Sequence, residues 1–168
     1  MPTIYPFTPS NTSVFQFSPT LDNAIYQAIT PWLLFGARFY LNLVAIDGTA
    51  IWYGAVVGSP DPFALSTISW ANGRAYVTTT LPHGLQPATT APLNVFGNVP
   101  TAFNGLFECF ITGPSSFFFA LSSDPGNATV IGSASQDLNL IGGVPNSNGV
   151  PFTNRLIFRQ SSKQFEVW

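Results

Sequence analysis

The sequence predicts an all-β protein of the sandwich or barrel type, and three observations lead there. Apolar residues alternate with a period of two in segment after segment, while the 3.6-residue period of helices is almost absent. Turn dipeptides such as Asp47-Gly48 and Asn72-Gly73 sit between those segments. Fourteen Gly and fifteen Pro in 168 residues cut the chain into short pieces, as sandwiches and barrels require.

The first alternating piece is Ser13-Val14-Phe15-Gln16-Phe17, after a Pro- and Ser-rich lead. Arg38 to Ile46 follows, with Phe39, Leu41 and Leu43 on one face and Tyr40, Asn42 and Val44 on the other. Asp47-Gly48 supplies the positive-φ positions of a type I′ turn, and Ala50 to Val57 returns as the partner strand. Gly58-Ser59-Pro60-Asp61-Pro62 stops that hairpin, because proline cannot donate to a ladder. Asn72-Gly73 joins Ile68-Ser69-Trp70 to Ala75 through Thr79 as a second hairpin.

Asn104-Gly105 introduces Leu106 to Thr112, where Leu106, Glu108 and Phe110 oppose Phe107, Cys109 and Ile111. This face of Glu108 predicts partial burial beside a partner. Gly113-Pro114-Ser115-Ser116 turns that strand into Phe117 through Leu121. Arg155 to Gln160 and Gln164 to Trp168 flank Ser161-Ser162-Lys163 as a closing hairpin. The four-residue spacing of Arg155, Arg159 and Lys163 fits a helix face, but Leu156-Ile157-Phe158 and Phe165-Glu166-Val167 favour strand.

Only 7 % of residues are charged, against about 25 % in ordinary soluble domains. The net charge is −2, so little electrostatic repulsion opposes self-association. A surface built from Ser, Thr, Asn, Gln and apolar atoms suits burial against neighbouring copies. Five basic residues, none of them between Arg74 and Arg155, leave no footprint for nucleic acid. The lead has no basic-then-apolar signal segment, and the apolar run Ala50 to Gly58 is about half a membrane span. Two sequons, at Asn11 and Asn127, are read as chance in Asn- and Thr-rich text.

The ionisable inventory is too thin for an enzyme. His83 is the only histidine, in the turn Leu81-Pro82-His83-Gly84, and reads as a structural loop residue rather than a general base. Cys109 is the only cysteine, in an alternating apolar stretch, and reads as a buried inert thiol. One Cys and one His cannot close a zinc site. A calcium site from Asp22, Asp47, Asp61, Asp124 and Asp137 is weighed, but Asp47 and Asp61 sit in turns, where Asp favours local backbone bonds. A glycosidase carboxylate pair would need a second acid beside Glu108, and none is identifiable. Trp32, Trp52 and Trp70 are read as core aromatics in preference to a sugar-stacking platform. No catalytic, cofactor or metal residue is assigned.

Phe117-Phe118-Phe119 is the local oddity. Parity sends Phe117 and Phe119 one way and Phe118 the other, so either one face is exposed or the strand is buried on both. Trp168 docks either in its own core or on a neighbour. The candidate partner interface is Phe117, Phe118 and Phe119, with Arg155, Arg159, Phe165 and Trp168 of the C-terminal segment.

Dispersed motifs carry a resemblance. Tyr5-Pro6-Phe7-Thr8-Pro9-Ser10, Phe15-Gln16-Phe17, Leu21-Asp22, Trp32-Leu33-Leu34-Phe35-Gly36-Ala37-Arg38-Phe39-Tyr40, Asp47-Gly48-Thr49 and Gly58-Ser59-Pro60-Asp61 resemble the baseplate plug family of small bacteriophage tail proteins. That family runs from the Gly-Ser-Pro turn into an Asp-x-Asn-Leu strand and ends in Phe-Glu-Val. Here Asp137-Leu138-Asn139-Leu140-Ile141, Leu156-Ile157-Phe158-Arg159 and Gln164-Phe165-Glu166-Val167 arrive late, which implies an insertion.

The inserted stretch has its own likeness. Arg74-Ala75-Tyr76-Val77-Thr78-Thr79-Thr80-Leu81-Pro82-His83-Gly84-Leu85, Phe103-Asn104-Gly105-Leu106-Phe107 and Phe117 through Leu121 are similar to a small β-barrel module of phage tail and fibre proteins. A related module occurs in ubiquitin-activating enzymes. Together these likenesses imply a small β-barrel or sandwich core, residues 1–65 and 136–168, interrupted by an inserted small β-barrel, residues 66–135.

The family implies a non-enzymatic structural part of a phage tail baseplate, packed at the distal tube or hub and holding subunits together. Its implied partners are tube and hub proteins and copies of itself, in a virion assembled in the host bacterial cytoplasm, without nucleic acid, membrane insertion or small-molecule substrate. The alternative is a tail-associated binding module whose insert recognises a host-surface glycan or protein. The chain departs from the likeness twice. Leu33 replaces the usual Asn of Trp-Asn-Leu-Phe-Gly, and Gln86 to Ala91 replaces a glycine-containing turn.

Overall fold

The computed structural model describes residues 2–168. The chain is all-β: β1 (Thr3–Pro6), β2 (Phe15–Phe17), β3 (Thr20–Leu21), β4 (Ala24–Thr30), β5 (Trp32–Leu33), β6 (Arg38–Ala45), β7 (Ala50–Ala55), β8 (Gly58–Ser59), β9 (Phe63–Ala71), β10 (Arg74–Thr79), β11 (Thr90–Phe96), β12 (Gly105–Gly113), β13 (Ser116–Ala120), β14 (Ser133–Ser135), β15 (Leu156–Arg159) and β16 (Gln164–Val167). One 3-10 turn, Thr101–Phe103, completes the set. The strands group into two compact units, one holding the chain up to Ser59 with Leu138–Trp168, the other Pro60–Asp137. The boundaries expected at 65/66 and 135/136 therefore move outward. A cut at Ser66 would split β9, whose first residues already pair with β14.

The first unit has two sheets, one ordered β1-β16-β15-β8 and the other β2-β4-β6-β5, with β3 on β4 and β7 on β6. They share one core in which Phe7 is central. Its ring meets Phe15, Phe39, Phe158 and Phe165 edge-on at 5.1, 5.0, 5.7 and 5.6 Å. Phe17 of one sheet stacks on Phe165 of the other at 4.8 Å. Such pairs add roughly 0.5–1.5 kcal/mol each beyond area burial. From β6, Leu41 and Leu43 are fully buried, on the face that alternation assigns them.

The β6–β7 hairpin forms, but not through a type I′ turn. Only Gly48 has positive φ, at 90°. Gly48 N donates to Ala45 O at 2.9 Å and Ala45 N to Thr49 O at 2.8 Å, a type I turn followed by a glycine bulge. The Asp47 carboxylate accepts the Thr49 N–H at 2.9 Å, which holds that geometry and moves Ile46 out of the strand into the turn. Asn72 (φ 51°) and Gly73 (φ 78°) do make the primed turn between β9 and β10.

The second unit is a closed six-stranded barrel, β10-β13-β12-β11-β14-β9, with β9 returning to β10. Leu65, Ile68, Ala75, Val77, Ala91, Leu93, Val95, Cys109, Ile111, Phe117, Phe119 and Ala134 fill it, with Phe103 of the 3-10 turn. Fully burying one of the Val, Leu, Ile or Phe side chains among them contributes roughly 1.5–3 kcal/mol. Inside, Phe107 stacks on Phe119 at 4.0 Å.

Asn98, 1 % exposed, exchanges hydrogen bonds with Asn104 and accepts the Gly132 N–H at 2.9 Å, pinning the loops between strands. In the turn where the resembled module carries glycine, Ala88 stands at φ 60°, with its N–H bonded to Ile111 O at 2.8 Å.

Candidate functional site

Most residues singled out as a partner interface are occupied within the fold. Phe117 and Phe119 are 1 % exposed and line the barrel interior, so only Phe118 of the triplet faces outward. Phe165 is fully buried in the core of the first unit. Arg159 is 2 % exposed, and its Nε lies 3.3 Å from both carboxylate oxygens of Glu166. Trp168 docks in its own unit. Its backbone exchanges hydrogen bonds with Arg155, its Nε1 donates to Glu166 Oε2 at 3.0 Å, and Arg155 lies over its ring. The strong internal engagement of these residues follows from strand parity and hairpin register, not from a surface role.

Glu108 is exposed, not partly buried beside a partner, because Phe107, Cys109 and Ile111 take the barrel side of β12 and send Leu106, Glu108 and Phe110 outward. Cys109 is fully buried, and burial first, then the neighbouring Glu108 charge, pushes its thiol up to about 12. It is therefore inert at neutral pH, as its apolar surroundings predict.

The single imidazole is engaged. His83 Nδ1 accepts the Leu85 N–H at 3.1 Å, and the ring sits beside Phe63 and Phe117 at 5.6 and 6.3 Å. Its Nε2 is sealed from solvent. Of the aspartates weighed for calcium, Asp47 and Asp124 accept local backbone N–H groups of Thr49 and Gly126. Among the described residues no group of three His, Cys, Asp or Glu could hold a metal ion, and no helix is long and apolar enough to cross a membrane.

Asp22 has a different task. At φ 49° its carboxylate accepts the Thr153 N–H at 3.1 Å, the Thr153 hydroxyl at 2.5 Å and the Asn154 N–H at 3.0 Å. Its own N–H donates to Asn154 Oδ1 at 2.6 Å. Slight burial raises its carboxyl, and the hydrogen bonds from Thr153, Asn154 and Asn146 outweigh that and lower it. The arrangement clasps the β3–β4 turn to the segment before β15.

Two outward apolar surfaces emerge, and of their residues the sequence pointed only to Phe118. The first is the turn between β5 and β6, where Leu34 is 86 % exposed and Phe35 fully exposed. Leu33 is exposed beside them, so the tip is apolar throughout. Arg38 Nε donates to Gly36 O at 3.4 Å across the base of the tip.

The second is a row across three barrel strands. Tyr76, Phe118 and Phe110 are register partners on β10, β13 and β12, with ring centroids 5.8 and 5.4 Å apart. The Arg74 guanidinium lies 4.6 Å over Phe118. Trp52 and Trp70, by contrast, pack partly buried against the two cores.

No protein-family model, curated protein or solved structure matches this chain. Its class is therefore set by the fold, an all-β protein with a closed six-stranded barrel.

Proposed function

We propose that the chain is a non-enzymatic structural component of a bacteriophage tail baseplate, packed at the distal tube or hub and holding subunits together within the virion. The observation that carries this reading is the tip of Leu34 and Phe35, exposed to solvent inside the very segment, Trp32 through Tyr40, that resembles the plug family. Two large apolar side chains at a turn gain nothing from the fold and roughly 1.5–3 kcal/mol each from burial against a partner. The low charge, 7 % of residues, supports the same conclusion, since it leaves few groups to desolvate at subunit contacts. Engagement of His83 by Leu85 and the outward, solitary Glu108 support a role without catalysis.

The test is a phage carrying Leu34→Ser with Phe35→Ser. The variant protein keeps its melting temperature but fails to enter particles, and tail assembly or infectivity falls. Normal incorporation and infectivity overturn the reading.

The aromatic row Tyr76–Phe118–Phe110 favours a second reading, a module that binds a host-surface glycan by stacking sugar faces on the rings. A glycan array probed with the full chain separates the two. A repeatable hit abolished by Phe118→Ser and Tyr76→Ser supports the module, and a blank array leaves the structural role.

A further inference from the structure

The chain carries three Asn-Gly dipeptides, Asn72-Gly73, Asn104-Gly105 and Asn148-Gly149. In each, the glycine nitrogen can attack the asparagine side-chain carbonyl and expel ammonia, because no Cβ shields the approach. The attack needs two freedoms. The carboxamide must be able to turn toward the backbone, and the glycine N–H must be able to give up its proton. The fold grants these freedoms unequally.

At Asn104 the carboxamide is clasped. Its Oδ1 accepts the Asn98 N–H at 2.9 Å and the Asn98 Nδ2 at 3.0 Å, and its Nδ2 donates to Asn98 O at 2.9 Å. A Cβ on Gly105 would meet the Phe107 ring at 3.2 Å, so the glycine is crowded as well. At Asn148 the carboxamide is exposed, but the nucleophile is engaged. Gly149 N donates to Asn146 O at 2.9 Å, inside a loop that Asn146 N closes onto Val150 O at 2.7 Å. A hydrogen bond made by the neutral N–H disfavours loss of its proton.

Asn72 meets neither restraint. It is exposed in the two-residue turn that joins Ala71 to Arg74, with nothing within 4 Å of where a Gly73 Cβ would stand. Among the described residues no hydrogen bond holds its carboxamide or the Gly73 N–H, and only the Gly73 carbonyl is engaged, by Leu121 N at 2.9 Å. We propose that Asn72 is the site of spontaneous deamidation in the folded chain. Gly73 N bonds to Asn72 Cγ, the Cγ–Nδ2 bond breaks, and Nδ2 leaves as ammonia with the proton that Gly73 N gives up. Water then opens the succinimide at either carbonyl and yields aspartate or isoaspartate.

Both products change the barrel. Either adds one negative charge to a chain of net charge −2, two residues from the Arg74 that lies over Phe118. Isoaspartate also routes the backbone through an extra methylene, which a two-residue turn paired at Ala71 and Arg74 cannot absorb. The disturbance reaches Leu121, whose N–H binds Gly73 O and whose carbonyl accepts Trp70 Nε1 at 2.7 Å. This chemistry does not depend on the virion assignment.

Peptide mapping by mass spectrometry tests it, on the full chain aged at mildly alkaline pH, native and in urea. In the folded chain the Asn72 peptide exchanges NH for O at least about tenfold faster than the Asn104 and Asn148 peptides. In urea the three rates converge, because all three sites share one dipeptide. In the fresh native chain the Gly73 amide exchanges with deuterium faster than the Gly149 amide.

A folded-state rate at Asn104 or Asn148 that matches or exceeds the rate at Asn72 overturns the proposal. So does an unreactive Asn72 in a chain that reacts when unfolded, a spread of rates that persists in urea, or a Gly73 amide slower to exchange than that of Gly149.

Discussion

Arg159 and Glu166 form a salt bridge at 3.3 Å with side chains only 2 % and 8 % exposed, and Gln164 and Trp168 both donate to the same carboxylate. The register places Arg159 opposite Gln164 and Glu166 opposite Ile157, so the pair is a diagonal contact across the closing hairpin. Breaking such a pair leaves a buried charge without its counterpart. Arg159→Met is expected to destabilise the chain by about 3–5 kcal/mol in urea unfolding. Arg159→Met combined with Glu166→Leu is expected to cost less than the sum of the two single changes, and strict additivity contradicts the pairing.

Phe118 and Phe119 are adjacent in sequence and opposite in role. Phe119→Ala empties a fully enclosed barrel position and is expected to cost roughly 3–5 kcal/mol. Phe118→Ser removes an outward ring and is expected to cost about 1 kcal/mol. Thermal or denaturant unfolding of both variants checks the contrast, and equal losses would place both rings in the core.

The Asp22 clasp predicts acid sensitivity. Its carboxyl is lowered from 3.8 in the folded chain, so the unfolded chain binds the proton more readily. The contribution is present above 3.8 and is lost as pH falls through the lowered folded value. Solvent screening limits it to about 1 kcal/mol. Asp22→Asn is expected to flatten the dependence of melting temperature on pH below 3.8, and an unchanged slope would show that the clasp does not titrate.

Gly54→Ala forces the Trp52 indole off the strand. A loss of about 1–3 kcal/mol is expected, with a red-shifted tryptophan emission as the ring enters water. Ala88→Gly tests the opposite case. Relief of the left-handed φ of 60° is expected to raise stability by up to about 1 kcal/mol.

Much of the fold was legible because local chemistry and global structure agree at the hairpins. Asn72-Gly73, the alternation of Arg38 to Ala45, and the C-terminal pair Leu156–Arg159 and Gln164–Val167 all announce themselves. β4 did not, because its buried face is Tyr26, Ala28 and Thr30, and Thr30 goes inside only by donating to Phe15 O at 3.0 Å. β11 was hidden by Pro92, which the barrel accommodates facing outward.

The surfaces were the least legible part. Leu34 and Phe35 have the same composition as core residues, and only the path of the turn exposes them. Arg155, Arg159 and Trp168 look like surface groups in a basic segment until the register binds them together. Parity alone separated Phe118 from its neighbours, and barrel closure decided which side was inside.

The proposed function makes this chain a built part of a particle, and quantitative mass spectrometry of gradient-purified particles from a phage that encodes it is the decisive measurement. The account predicts a fixed, small copy number per virion, such as about three, six or twelve, as symmetric assemblies require. Absence from intact, infectious particles would contradict it and leave the binding module in its place.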